Sequence, residues 1–275
     1  MRPDNTLHET ATQAIQTSHH LLSTESDLSP HNGKITEALT HLVRTLTCCQ
    51  CSAMTECLLA EQRLAREKEQ LPDLCGKAEC EMEKYWARKL LSAEKLCLRD
   101  FWYIAEYEAL CKAEAELIGS KQYDRITFLG SGALPLTAIM LAEMFPQAHV
   151  TCVDMDPEAC QLSCQLIQKA GLCSRVTVLQ QDATGYKPQR NELVICAALL
   201  QGAEAVYEHI LLQPDCDLIV RDSEGVYRFL YREARLPDIR FVEIGKTTLD
   251  TRRINTSRYY RQRGAQEVTP HAATA

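Results

Sequence analysis

Three carboxylates alternate at Glu79, Glu81 and Glu83, inside a stretch (74–91) whose apolar residues recur at helical spacing. At about 100° per residue, Glu79 and Glu83 share one helix face and Glu81 points elsewhere. Under a cleft, a carboxylate so placed takes a proton from an amine nucleophile. In the open it is a solvated acidic face. Further on, Tyr103 and Tyr107 stand four residues apart in the aromatic run Phe101–Tyr107, which puts them on one face. Their hydroxyls either line a pocket for a zwitterionic substrate or pack between helices. Arg221 ends an apolar run, where its guanidinium can grip a substrate carboxylate with two hydrogen bonds. The competing reading is an ion pair with Asp222 or Glu224.

A second group of residues points to a nucleotide-like ligand. The apolar run Ile126–Leu129 is broken by Gly130-Ser131-Gly132, and a helical pattern follows with Leu136, Ile139, Met140 and Glu143. Strand, glycine turn and helix bring backbone N–H groups against a bound nucleotide. There is no Gly-Lys-Ser/Thr, which excludes a triphosphate-binding loop. The third glycine of a dinucleotide fingerprint falls on Pro135, so that fingerprint is half met. Beginning about 20 residues on, His149–Asp154 reads as a second strand that ends in Asp154 and Asp156. An acid at that tip accepts ribose hydroxyls. A third strand, Val176–Asp182, ends in Asp182, placed to reach an adenine amino group. A GxG turn followed by acids after two further strands suits S-adenosylmethionine (SAM), which carries no phosphate to cradle.

The elements that must hold these residues differ between the two halves. From Ile35 to Lys68 the chain is helical in character. Leu71-Pro72-Asp73 is expected to interrupt it, with Asp73 as N-cap of a helix over 74–91. Another helix is expected over 100–118. From Tyr123 strands and helices alternate, with further strands at Leu193–Leu199, Asp217–Arg221, Arg240–Ile244 and Ser257–Tyr260 and a helix over Glu158–Ala170. That alternation predicts an α/β fold: a SAM-binding Rossmann-like domain (120–263) with a parallel sheet and helices on both faces. It follows an N-terminal helical bundle (1–119) whose first 33 or so residues are polar and partly disordered; 264–275 form a disordered tail.

Composition narrows the function classes. The chain has 275 residues, net charge −7 and 24% charged residues, which argues against nucleic acid or an anionic membrane as partner. No apolar run approaches the roughly 18 residues of a membrane span, and the N-terminus has no signal core, so a cytoplasmic location is expected. Fourteen cysteines are scattered along the chain and read as buried small hydrophobes. The one cluster, Cys48-Cys49-Gln50-Cys51, has no second pair nearby to complete a metal's ligands, and no metal site is expected. His19-His20 read as solvated.

Several strings together bear a resemblance. Leu74-Cys-Gly-Lys-Ala-Glu79, Phe101–Tyr107, Gly130-Ser-Gly-Ala-Leu-Pro-Leu-Thr137, Ala197-Ala-Leu199, Arg221-Asp-Ser-Glu-Gly225, Phe229-Leu-Tyr231 and Asn255-Thr-Ser257 are similar to segments of nicotianamine synthases. The bacterial opine-metallophore branch, the histidine 2-aminobutanoyltransferases, is the nearest in character. The resemblance covers about residues 71–260. It implies an enzyme that transfers the 3-amino-3-carboxypropyl (aminobutanoate) group of SAM to the α-amino group of histidine and releases methylthioadenosine. An opine dehydrogenase would then use the product. It places the base at Glu81, with Glu79 as competitor, and the orienting hydroxyl at Tyr107. It assigns Gly130, Ser131, Gly132, Leu134, Pro135, Asp154, Asp156, Asp182 and Ala197 to SAM, and Tyr103, Arg221 and Ser223 to the acceptor. The turn departs from the family's Gly-Pro-Leu-Pro, and Arg221-Asp-Ser-Glu-Gly departs from the plant Arg-Ser-Ala-His-Gly, which leaves the acceptor open. An N-methyltransferase, a synthase making several transfers, and a SAM- or metal-binding interaction protein are the alternatives, and a homodimer is left open.

Overall fold

The structure, a computed structural model, describes residues 5–211, 216–236, 241–248 and 254–262. The expected tail (264–275) and Arg240 lie outside the described residues. In chain order the helical half contains α1 (Asn5–Thr24), α2 (Gly33–Cys48), α3 (Ser52–Ala60), α4 (Ala65–Ser92) and α5 (Ile104–Ile118). The strand-rich half follows: β1 (Arg125–Leu129), α6 (Leu136–Met144), β2 (His149–Asp154), α7 (Pro157–Lys169), β3 (Val176–Gln180), β4 (Glu192–Cys196), α8 (Ala203–Leu211), β5 (Asp217–Asp222), β6 (Phe241–Lys246) and β7 (Thr256–Gln262).

The helical half departs from the sequence reading at several places. The polar N-terminal stretch forms α1, because Ala11, Ala14, Ile15, Ser18 and Leu22 recur on one buried face among polar neighbours. His19, expected in solvent, is buried there, its Nε2 3.0 Å from Gln70 Oε1. Pro72 does not end a helix; it lies inside α4 and is buried. A proline removes one helical hydrogen bond and crowds the preceding turn. Arg232 bridges this turn, donating from Nη2 to Glu69 O at 3.1 Å and pairing with Asp73 through Nε at 2.9 Å. Asp73 is therefore an ion-pair partner rather than an N-cap. The α5 helix starts at Ile104, so Phe101 and Trp102 precede it. Six cysteines expected inside are exposed: Cys48, Cys51, Cys80, Cys97, Cys164 and Cys173.

The sheet order is β3-β2-β1-β4-β5-β7-β6. Strands β1 to β5 run parallel, in register from Arg125↔His149 to Leu129↔Val153 between β1 and β2. The last two strands correct the expectation of a parallel sheet. β7 is antiparallel to β5 and β6 antiparallel to β7; the connection from Lys246 to Thr256 is shorter than the dozen or so residues a parallel crossover takes. One sheet face packs on α5, α6 and α7 around Phe128, Ile139, Val150, Ile195 and Tyr259. The other packs on α8 through Val206, Tyr207 and Ile210. Among the described residues no helix is long and apolar enough to cross a membrane.

Two packing layers join the halves. Ala87 and Leu90 of α4 and Phe101, Ile104 and Cys111 share a cluster with Leu134, Met140 and Leu166. The 3-10 turn Gly225–Phe229, with Leu230 and Tyr231, sits in the core of α1 to α4. A buried ion pair fixes α5 to the sheet. Arg221 Nε and Nη2 donate to the two oxygens of Glu114 at 2.9 and 3.1 Å, and Nη1 donates to Thr137 Oγ1 at 3.0 Å. Ser257 Oγ donates to Glu114 Oε1 at 2.6 Å. Glu114 is 0% exposed, so its charge depends on these donors. Removing one partner of a buried pair strands the other, which costs about 3–5 kcal/mol, whereas replacing both by apolar residues is often neutral. Glu114→Ala is accordingly expected to lose about 3–5 kcal/mol in urea denaturation, and the double variant Glu114→Met/Arg221→Met to lose less than that single change.

Candidate active site

The order of strands reverses between β1 and β4, and in open α/β sheets the crevice at such a point, beyond the carboxyl ends of the strands, is where ligands bind. A cavity of about 240 Å³ opens there. Its floor comes from the turns after β1, β2, β3 and β4, and its roof from α4, α5 and the segment around Tyr231.

The glycine turn is built as its sequence requires. Gly130 and Gly132 have φ of +75° and +66°, the left-handed region that glycine enters without strain. Gly130 and Ser131 N–H both donate to Val153 O, at 2.9 and 3.1 Å, which pins the turn to β2. Asp154 Oδ2 accepts from Gly132 N at 2.8 Å and its Oδ1 from Asp156 N at 2.9 Å. A carboxylate has about four lone-pair sites, so Asp154 keeps capacity for ligand hydroxyls. Asp156 caps α7 and pairs with Lys84 Nζ at 2.7 Å, which holds its carboxyl below the usual range against the effect of burial. Asp182 accepts from Thr184 N and Oγ1, each at 2.8 Å.

The roof is acidic and aromatic. Glu79 accepts from Tyr231 Oη at 3.0 Å. Glu83 reaches the glycine turn, where Ala133 N donates to its Oε2 at 3.1 Å. A Cβ added at Gly132 would stand 1.9 Å from that same oxygen. Tyr103 and Tyr107 meet edge to face, ring centroids 6.0 Å apart. Burial pushes the Glu83 carboxyl up to about 8, helped by the charges of Glu79 and Asp154 and opposed by the Ala133 N–H. Burial also raises Glu79, against the pull of the Tyr231 hydroxyl and Arg221. The Tyr107 hydroxyl is raised well above its ordinary value by burial and by both carboxylates, and that of Tyr231 by burial and Glu79, so these phenols stay neutral. Among the described residues of the wall acceptors outnumber cations, and the guanidinium of Arg221 is already committed to Glu114. A cavity of this character favours a cationic ligand.

Of the expected residues, Glu79, Tyr103, Tyr107, Gly130, Ser131 and Gly132 line the cavity, as do Leu134, Asp154, Asp156, Asp182, Ala197 and Arg221. Three do not. Glu81 faces out of the helix, its side chain 44% exposed, and pairs with Lys84 at 3.6 Å. Pro135 precedes α6 beneath the turn. Ser223 is fully buried behind β5. Arg221 is occupied by Glu114, not by Asp222 or Glu224, so a substrate carboxylate cannot take its bidentate fork. The sequence reading left Glu83, Tyr231, Glu106 and Asn255 out of the site. The shared helix face of Glu79 and Glu83 was the available signal for Glu83.

A Rossmann-type sheet whose ligand crevice is closed by a helical half carrying buried carboxylates and phenols defines the class. The family model described as nicotianamine synthase protein matches residues 3–256. The chain belongs to the nicotianamine synthase family. Among curated proteins it is 31% identical over 169 residues to an L-histidine 2-aminobutanoyltransferase of Yersinia pestis, covering 62% of this chain and 60% of that one. It is 26% identical over 200 residues to nicotianamine synthase 2 of Arabidopsis thaliana, covering 67% and 62%. The aligned part is thus about three-fifths of each relative's length. Among solved structures, a glutamate-to-glutamine variant of MtNAS superposes with TM-score 0.81 at 19% identity, covering 93% of this chain and 97% of that one. MtNAS in complex with MTA and tNA gives 0.78 at 20%, covering 94% and 98%. These likenesses show the fold.

Two outcomes follow from the roof's contact with the turn. Gly132→Ala is expected to cost more stability than Gly171→Ala. Both glycines have positive φ, worth about 1–2 kcal/mol of strain in an alanine, but an added Cβ at Gly171 meets nothing within 4 Å; urea unfolding of the two variants compares them. The second outcome concerns pH. Because Glu83 is raised from 4.5 to about 8, the folded chain keeps a proton that the unfolded chain has lost between those values. Stability therefore falls as pH rises through that window. Unfolding midpoints at a series of pH values should fall less steeply for Glu83→Gln than for the natural chain.

Proposed function

We propose that this chain transfers the 3-amino-3-carboxypropyl (aminobutanoate) group of SAM to the α-amino group of histidine and releases methylthioadenosine. The observation that carries this reading is the cavity itself. In a chain of this family, a nucleotide-type crevice faces two raised carboxylates and neutral phenols across a single space. SAM supplies a sulfonium that activates the carbons bonded to it.

The residues divide the work. The Gly130–Gly132 backbone, Asp154 and Asp182 hold the adenosine end. Glu83, tied to the turn by Ala133 N–H, sets a negative charge against the donor's ammonium and sulfonium. Glu79 takes the proton from the acceptor's ammonium, freeing the lone pair that attacks the methylene carbon of the aminocarboxypropyl arm. A new N–C bond forms, the C–S bond breaks, and its electrons leave on the thioether sulfur of methylthioadenosine. A general base is most effective when its pKa lies near the operating pH, and burial raises Glu79 and Glu83 in that direction. Tyr107, neutral and beside them, orients the amine. Glu81 has no part, since it points to solvent. The enzyme is read as cytoplasmic, with its product passing to an opine dehydrogenase that condenses it with an α-keto acid.

The test is product analysis. Incubated with SAM and histidine, the protein should release methylthioadenosine and an aminobutanoyl-histidine by mass spectrometry. Adenosylhomocysteine as the main product would make it an N-methyltransferase instead. Glu79→Gln should bind SAM but lose about 10²–10⁴-fold in kcat, the usual worth of a general base, while Glu81→Gln keeps near-normal turnover. The reverse ranking would return the base to Glu81.

A further inference from the structure

Besides the glycine turn and the acids after the strands, the cavity is lined by Tyr103 and Glu106 of the α5 region, Tyr231, and Ile254 and Asn255 just before β7. Two acceptor atoms among these residues are buried and receive no hydrogen bond among the described residues: Glu106 Oε2 and Asn255 Oδ1. Buried acceptors of this kind cost free energy unless a donor reaches them. Folding gives neither atom a partner, although Glu106 sits on a well-formed helix and Asn255 abuts the strand that carries Ser257. Glu106 lies near enough to Tyr103 for its charge, after burial and Glu79, to raise that hydroxyl. Several other polar groups of the cavity have partners, although Ser131 Oγ in the glycine turn has none among the described residues. Glu79 has Tyr231, Glu83 has Ala133 N, Asp154 has Gly132 N, and Arg221 has Glu114.

The chemistry of the vacant acceptors says what they accept. A carboxylate and an amide oxygen both call for N–H or O–H donors, and the carboxylate favours a donor able to carry positive charge. It disfavours a ligand carboxylate or an apolar ring, either of which would leave the acceptors buried and unpaired. A site built to hydrogen-bond a substrate N–H or O–H rejects an isostere lacking it far more strongly than an apolar pocket rejects a change of size.

Resting on the transfer reading above, we propose that Glu106 and Asn255 form the side-chain subsite of the acceptor and select an amino acid whose side chain presents an N–H donor, the imidazole of histidine being the fitting class. Glu106 Oε2 accepts the imidazole N–H and Asn255 fixes the ring's orientation. The acceptor's α-amino group is thereby turned toward Glu79 and Tyr107.

Steady-state kinetics with histidine and with phenylalanine, read as methylthioadenosine release, tests this in the full chain. Glu106→Gln and Asn255→Ala should raise KM for histidine by about 10- to 100-fold, as befits loss of a hydrogen bond to a charged or buried partner, with a much smaller change in kcat. Glu106→Leu should also narrow the preference for histidine over phenylalanine. SAM affinity by calorimetry should match the natural chain in all three, which separates a local effect from misfolding. If the natural chain releases methylthioadenosine with histidine and both KM and the preference are unchanged in the variants, this assignment is overturned and the transfer reading stands. If histidine elicits no methylthioadenosine from the natural chain, the transfer reading falls and takes the subsite with it.

Discussion

A carboxylate from the helical half has to rest against a backbone N–H of the glycine turn, and much of the molecule is arranged around that requirement. Glu83 Oε2 lies 3.1 Å from Ala133 N, in space that a side chain at position 132 would fill. Burying a carboxylate is costly unless donors meet it, and the turn supplies one. The contact holds only if α4 is seated on the α/β layer with little freedom. Lys84 joins α4 to Asp156 and Glu158 at the start of α7, and Lys169 at the end of α7 donates to Leu91 O at 2.8 Å at the end of α4. Both ends of α7 are thus tied to the C-terminal part of α4, which steadies the roof over the ligand crevice.

The sheet has to hold the other side of the cavity equally still. Arg221 ends β5 and takes Glu114 of α5 in a bidentate grip, while Ser257 of β7 and Thr137 of α6 complete the partners. At the opposite end of the same strand, Asp217 accepts from Tyr123 and Tyr259, with Lys121 alongside. These two buried networks stitch the antiparallel β7 to β5 and fix the angle of α5. That angle presents Tyr103, Glu106 and Tyr107 to the cavity. Arg221 therefore acts through position, as the buried counter-charge on which α5 is hung.

The fold was legible in the sequence where local signals decide it. Strand, GxG turn and helix, then acids at the tips of the next two strands, pointed to residues that line the cavity at the carboxyl ends of the strands. Apolar runs located the strands to within a few residues, because a strand buried on both faces is continuously hydrophobic. What was not legible depends on partners far along the chain. Pro72 looked like a break because the sequence does not say that it is buried within a long helix whose packing tolerates it. Arg221 looked free, or paired with its neighbours, because Glu114 is 107 residues away. The base was the hardest case. Three alternating glutamates offer two faces, and which one is covered depends on docking against the α/β layer. The helical period separated Glu79 and Glu83 from Glu81, but only the docked structure tells which face is inside.

The raised carboxylates have a further consequence for how donor and acceptor chemistry fit together. Burial, with the charges of Glu79 and Asp154 adding to it, pushes Glu83 up to about 8, so that at neutral pH a proton on Glu83 relieves both the desolvation and the repulsion. A sulfonium and an ammonium brought into the same space offset the repulsion by other means, and an opposite charge lowers a carboxyl's pKa. Cation binding and proton release are then linked. Under the proposed transfer, the cavity would become ready to accept the amine's proton as the donor arrives, since the cationic donor would take over the charge that the proton had been balancing. A chain with polar, well-hydrated carboxylates in these positions would have bases at all times but little affinity for either cation. Burial raises the pKa values and creates the demand for positive charge, so one physical cause underlies both binding and catalysis.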